Sequence, residues 1–203
     1  MPQDRAPTRI QRRNRAAILN AALDVFSAEG FRGATVDKIA VTAGLSKPNL
    51  LYYFPSKEAM HTELLAGLLD TWLDPLRALD PDGDPLDELL GYVHSKLEMS
   101  RSLPRESRLF ANEILQGAPR IRAHLETGLK PLFDEKCDLI QRWTQEGRLA
   151  EVDPAHLIFS IWAVTQHYAD FEAQIGVLMP HSDRAWSDAD AFLDTLFRKL
   201  LTP

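Results

Sequence analysis

Apolar side chains recur at helical spacing along almost the whole chain, and no alternating strand pattern competes with them. From Ala16 onward, Ala17, Ile18, Ala21, Ala22, Val25 and Phe26 follow the i, i+3, i+4 rhythm, and Glu29-Gly30 supplies a stop. A short helix is predicted over Val36–Ala43, with Thr35 as its cap and Asp37 favoured in its first turn by the helix dipole. Gly44 breaks it. A second short helix runs from about Pro48 to Phe54, and a long one from Lys57 to Leu79 with Ser56 as its N-cap. The run Asp80-Pro81-Asp82-Gly83-Asp84-Pro85 reads as a linker, because its prolines and glycine disfavour a continuing helix. Further helices are expected at 86–102, 105–116, 119–147, 154–176 and 186–201, with Pro131 kinking or restarting the third of these. The last separator is Met179-Pro180-His181. The fold class is all-α, with about nine or ten helices.

The 45% of hydrophobic and 26% of charged residues are those of an ordinary globular protein and exclude extensive disorder. No stretch approaches the roughly 18 apolar residues of a membrane span. The basic start has no apolar run behind it, so it does not read as a secretory signal. Cys137 is the single cysteine, which excludes an internal disulfide and fits a reducing, cytoplasmic location at the nucleoid.

Charge is unevenly placed within the net −6. Residues 1–60 hold nine Lys/Arg against five Asp/Glu, whereas the remainder holds fourteen against twenty-four. Five of the basic side chains are Arg5, Arg9, Arg12, Arg13 and Arg15. A basic head on an acidic body implies that only the head meets a polyanion. A solvated basic tail is the alternative that composition leaves open.

The two short helices joined at Gly44 outline a helix-turn-helix. In that motif the second helix enters the DNA major groove with its N-terminal end. Lys47 suits guanine acceptors or phosphate, and the amide of Asn49 can read adenine. Tyr52, Tyr53 and Lys57 are expected to grip phosphates, which fixes register without reading sequence. Ile39, Ala40, Leu45 and Leu50 form the expected core. A plain three-helix bundle, with the aromatic residues as core and rim, is the competing reading.

Residues 16–60 resemble the DNA-binding domain of the TetR family of bacterial regulators. The likeness runs through Ala22-Leu23-Asp24-Val25-Phe26, Gly30-Phe31, Gly33-Ala34-Thr35, Ile39-Ala40 and Ala43-Gly44-Leu45-Ser46-Lys47, and continues through Leu51-Tyr52-Tyr53-Phe54-Pro55-Ser56-Lys57-Glu58-Ala59. It implies a homodimer that binds a palindromic double-stranded DNA operator, usually as a repressor released by a small ligand. The contacting set is then Thr35, Ser46, Lys47, Asn49, Tyr52, Tyr53 and Lys57. Pro48 departs from the small residue usual there and biases Lys47 away from helical geometry, so the helix is expected to start one residue late. The implied organisation is a basic N-terminal arm over 1–15, a helix-turn-helix domain over 16–56, and a ligand-binding and dimerisation domain over 57–203.

Beyond the head, Arg108-Leu109-Phe110, Gly117-Ala118-Pro119, Asp153-Pro154 and the run from Leu157 through Trp162 to Gln166-His167-Tyr168-Ala169-Asp170-Phe171 are similar to the pyrimidine-utilisation branch of that family. This implies a pyrimidine base such as uracil or thymine as effector. A flat, neutral heterocycle wants an aromatic face and a paired donor and acceptor. Trp162 and Gln166, four residues apart, share a helix face and offer an indole beside an amide. Trp72 and Phe110 are candidate further walls, with Lys96 and Arg101 as donors. The competing reading places Leu157, Ile161, Val164, Tyr168 and Phe171 in a core stripe and Trp162 in a dimer seam.

His167 and Asp170 lack a third metal ligand and read as a surface ion pair. No catalytic signature of the hydrolase, metalloprotease, dinucleotide or P-loop type is present, and a lone helical Cys137 reads as packing. The expected protein is a regulator, not an enzyme, with no cofactor, no metal and no membrane association. The alternatives are a family member answering to another metabolite, or a helical dimer that binds a small molecule without DNA.

Overall fold

The structure, a computed structural model, describes residues 8–179 and 184–203. Arg5 and the Pro180-His181 separator lie outside the described residues.

Helix α1 spans Arg9–Gly33 and so starts seven residues before Ala16. Thr8 begins it with a reciprocal capping box: its hydroxyl accepts from the Gln11 amide at 3.2 Å, and its own N–H donates to the Gln11 side chain at 2.8 Å. Arg9, Arg12, Arg13 and Arg15 are therefore carried on helical turns, not on an extended arm. Gly30 interrupts the helix at φ +68°, a conformation that glycine adopts without strain.

Helix α2 (Val36–Thr42) is capped by the Thr35 hydroxyl, which accepts from the Lys38 amide at 3.2 Å. Gly44, at φ +67°, turns the chain so that the Leu45 amide donates back to the Ala40 carbonyl at 2.9 Å. Helix α3 (Lys47–Tyr53) starts at Lys47, not at Pro48. The proline falls within the first turn, where its missing N–H had no helical carbonyl to reach. Ile39, Ala40 and Leu50 are buried against Ile18, Ala22 and Phe26 of α1, with Leu45 half-buried at the edge.

Helix α4 (Lys57–Arg77) starts at the Ser56 cap and carries the chain from head to body. The linker that follows is anchored by Trp143 Nε1 and an Arg148 guanidinium N–H, which donate to the carbonyls of Pro81 and Gly83. Asp84 caps α5 (Pro85–Ser102), and α6 (Pro104–Leu115) follows directly.

The expected 119–147 helix is broken in two places. After α7 (Arg122–His124), residues Leu125–Leu129 form a π-helical turn, and α8 covers Lys130–Gln145. Pro131 cannot donate to a carbonyl one turn back, and the wider turn lies immediately before it. The expected 154–176 helix divides at Phe171 into α9 (Pro154–Asp170) and α10 (Glu172–Leu178), and α11 (Ala185–Leu201) closes the chain.

Two hydrophobic clusters hold these elements. One joins the head to the body sides of α4 and α6, since Leu65, Leu69, Leu109, Ala118 and Ile121 are buried with the α1–α3 core. The other packs α5, α8, α9 and α11 around Val93, Trp143, Ile161 and Phe197. Among the described residues no helix is long and apolar enough to cross a membrane.

Candidate functional site

Two regions bring functional side chains together. The first is the outer face of α3. Ser46 caps the helix, its hydroxyl accepting from the Asn49 amide at 3.4 Å, which leaves the Asn49 side chain exposed at the leading end. Lys47 Nζ meets Asp37 of α2 at 2.9 Å with both groups exposed. Such a surface pair contributes only about 0–1 kcal/mol and yields readily to a phosphate. Tyr52 is 71% exposed, and its hydroxyl accepts from Gln11 at 3.4 Å. Tyr53 accepts from Asn14 at 2.9 Å. The first turns of α1 are thus tied to α3, which brings exposed Arg12 and Arg13 to the same end of the head.

Lys57 departs from expectation. Its ammonium donates to the carbonyls of Phe31 and Ala34 at 2.9 and 3.0 Å and lies over the Phe31 ring. It clamps the end of α1, with two of its three N–H donors taken by these carbonyls. Arg15, half-buried, is likewise engaged within the head: it pairs with Glu63, donates to the Tyr53 carbonyl and stacks on Phe54.

The second region is a small, partly open cavity of about 60 Å³ in the body. Helix α4 contributes Trp72, α5 Lys96, α6 Phe110, and α9 both Trp162 and Gln166. Five of the six side chains singled out in the sequence for a ligand meet at this one place. Arg101 does not join them, because it lies on the outer surface paired with Glu98. Trp72 and Phe110 meet edge-on, their ring centres 5.1 Å apart, and Lys96 Nζ sits 4.6 Å from the centre of the Trp72 ring.

The cavity is rich in donors. Trp72 Nε1 is buried and has no partner among the described residues. Lys96 is buried, and desolvation lowers its pKa to about 8 while the Asp170 charge opposes the shift. Tyr92, which the sequence reading did not select, completes the wall; its hydroxyl accepts from Trp162 Nε1 at 2.6 Å. Burial pushes that phenol's pKa up, so it is neutral. Its spacing of four from Lys96 on α5 was the available signal. Asp170 accepts from Ser107 at 2.5 Å instead of pairing with His167, which stacks on Phe171.

Outside this cavity lies an open groove of about 670 Å³ whose walls include Ile114, Ala118, Leu125, Phe133 and Phe159. Leu129 and Trp162 line both spaces and separate them. Among the described residues no cluster of metal-ligating side chains occurs. Cys137 is half-buried against the body core, and its thiol is pushed up chiefly by burial.

Residues 18–64 match the family of bacterial regulatory proteins of the TetR type, and residues 65–203 match the C-terminal region of YcdC-like proteins within it. The chain is 54% identical over 159 residues to the HTH-type transcriptional regulator RutR of Escherichia coli K12, which spans 78% of this chain and 75% of that protein. The chain belongs to the TetR family.

This TetR-family chain is also 29% identical over 136 residues to the transcriptional repressor KstR2 of Mycobacterium tuberculosis, covering 66% of this chain and 68% of that one. Among solved structures it is similar to the regulator SCO4942 from Streptomyces coelicolor, with a TM-score of 0.74, 25% identity, and coverage of 93% and 98% of the two chains. It shares its fold with AibR, solved with isovaleryl coenzyme A and operator DNA (TM-score 0.72, 18% identity, 94% and 99% coverage). Membership makes the protein a ligand-responsive, DNA-binding transcriptional regulator of a non-enzymatic class.

Proposed function

We propose that this TetR-family protein is a homodimer that holds a palindromic operator through two α3 helices and releases it when a pyrimidine base, uracil or thymine, enters the body cavity. The observation that carries the effector assignment is the convergence of Trp72, Lys96, Phe110, Trp162 and Gln166 on one small cavity. At about 60 Å³ it is far below the several hundred Å³ of most ligand sites and suits only a compact occupant. Aromatic walls accept a flat ring, and the Gln166 amide can both donate to a ring carbonyl and accept from a ring N–H. The strong likeness to RutR supports the same reading.

The dimer has a candidate seam. Phe192, Leu196 and Leu200 form an exposed apolar stripe on α11, and Phe159 and Ala163 are exposed on α9. Stripes of this kind on a monomer surface mark a contact with another chain. The protein acts in the cytoplasm, at its operator.

Helix α4 links the two sites, with Trp72 in the cavity wall and Lys57 and Met60 in the head. Helix α6 makes a second link: Arg105 pairs with Asp24 of α1, and Phe110 lines the cavity. A ligand that fits one arrangement of these helices better than the other changes the separation of the two α3 helices, and only that difference in affinity drives release.

A direct test titrates the protein onto its genomic binding fragments, recovered by selection and footprinting, with and without uracil. Protection of a palindrome that uracil abolishes is the expected result. Protection released by a larger apolar metabolite instead moves the effector site to the outer groove with its Phe133, Phe159 and Trp162 cluster. The absence of any protected fragment overturns the operator-binding reading.

A further inference from the structure

We infer that Tyr92 is a specificity-determining residue of the cavity, selecting a ligand that presents an exocyclic oxygen, rather than an amine, to its hydroxyl. The inference rests on the pyrimidine reading above and assigns a discrimination that the aromatic walls do not supply.

A tyrosine hydroxyl ordinarily takes either hydrogen-bonding role, since it carries one donor and an acceptor oxygen. Here Trp162 Nε1, which is donor-only, occupies the acceptor side at 2.6 Å. With that acceptor position taken, the strongest remaining capacity of the hydroxyl is its proton. No acceptor for that proton occurs among the described hydrogen bonds, and the residue is 3% exposed and lines the cavity. The phenol is thus polarised by its neighbour into a donor facing the ligand space.

Its surroundings reinforce this. Trp72 Nε1 is a second buried donor without a partner among the described residues, and Lys96 Nζ, over the Trp72 ring, is a third donor group. A ligand carbonyl satisfies such groups, whereas an amine brings donor against donor and leaves buried donors unpaired. Gln166 does not discriminate in the same way, because its amide presents either an oxygen or an NH₂ to a ring nitrogen. Sites that hydrogen-bond a specific polar group reject analogues lacking it far more strongly than apolar walls reject a change of shape.

The test measures calorimetric affinities of the full chain for uracil, cytosine and isocytosine, the latter two replacing one or the other exocyclic oxygen by an amine. Wild-type protein is expected to penalise whichever analogue places its amine against Tyr92. In Tyr92→Phe, uracil affinity falls, that analogue's affinity stays close to unchanged, and the ratio between them collapses by about tenfold or more. Trp162→Phe provides a second arm: freeing the acceptor side of the phenol raises the penalised analogue relative to uracil. Loss of packing alone lowers all three affinities by a common factor, so unchanged ratios in both variants overturn the assignment while leaving the pyrimidine reading in place. Failure of the wild-type protein to bind any of the three bases removes both.

Discussion

The Arg120 guanidinium carbon lies 3.4 Å from the centre of the Phe31 ring, joining the body of the chain to the last turn of α1. Arg120 also donates to Glu113 of α6 through its backbone N–H at 2.7 Å and its guanidinium at 2.8 Å. Glu113 is almost wholly buried, and His61 of α4 stands 4.0 Å from it. Head and body meet at this joint.

Removing the Arg120 side chain leaves the Glu113 carboxylate in the core without its countercharge, held only by the backbone N–H of residue 120. Breaking such a pair from one side costs several kcal/mol, and the partial exposure of Arg120 places the expected loss for Arg120→Ala at about 2–3 kcal/mol. Adding Glu113→Gln to Arg120→Met is expected to recover part of it, because no charge then remains buried. Denaturant unfolding of the three proteins checks both expectations; equal stability of Arg120→Ala and wild type contradicts them.

His61 makes stability depend on pH. Burial, opposed by the Glu113 charge and assisted by Arg120, lowers its pKa from 6.5 to about 4. The unfolded chain therefore binds the extra proton first, and stability present above pH 6.5 is lost as pH falls towards 4. The loss expected from this residue is on the order of 2–3 kcal/mol. Melting curves across that window should show a shallower decline for His61→Phe than for wild type, and parallel curves would exclude His61 as the source.

Much of this arrangement was legible in the sequence, and the limits have physical causes. The helix-turn-helix was readable because Thr35, Gly44 and Ser46 act through local backbone chemistry: two caps and one positive φ. Helical spacing places Trp162 and Gln166 on one face, but their choice as ligand contacts came mainly from the family resemblance. The π turn at 125–129 was not, since widened turns carry no distinct periodicity. Nor was the internal role of Lys57, which depends on carbonyls 23 and 26 residues away. Tyr92 was missed because its function comes from a partner 70 residues distant.

The two lysines of the head should separate cleanly. Lys57→Ala is expected to lose about 1–2 kcal/mol of stability through its two carbonyl partners. It should leave the dependence of DNA affinity on salt unchanged. Lys47→Ala should do the reverse, reducing the slope of log affinity against log salt by about 1 with little change in melting temperature. Anisotropy titrations at several salt concentrations distinguish them.

Asn49→Ala should lower the ratio of operator to non-specific DNA affinity by about 1–3 kcal/mol equivalent, since we propose that its exposed amide reads a base edge. Affinity for unrelated DNA should hardly change. An unaltered ratio would assign Asn49 to the backbone, not to the bases.

The most direct test of the account is the melting temperature of the purified protein with millimolar uracil, thymine and a panel of unrelated metabolites. Ligand at a hundredfold excess over its Kd stabilises the native state by about 2.7 kcal/mol, or about 5–11 °C for a chain of this size. The account predicts a rise confined to the two pyrimidines and absent in Gln166→Leu. A rise with another metabolite and none with either base would contradict it.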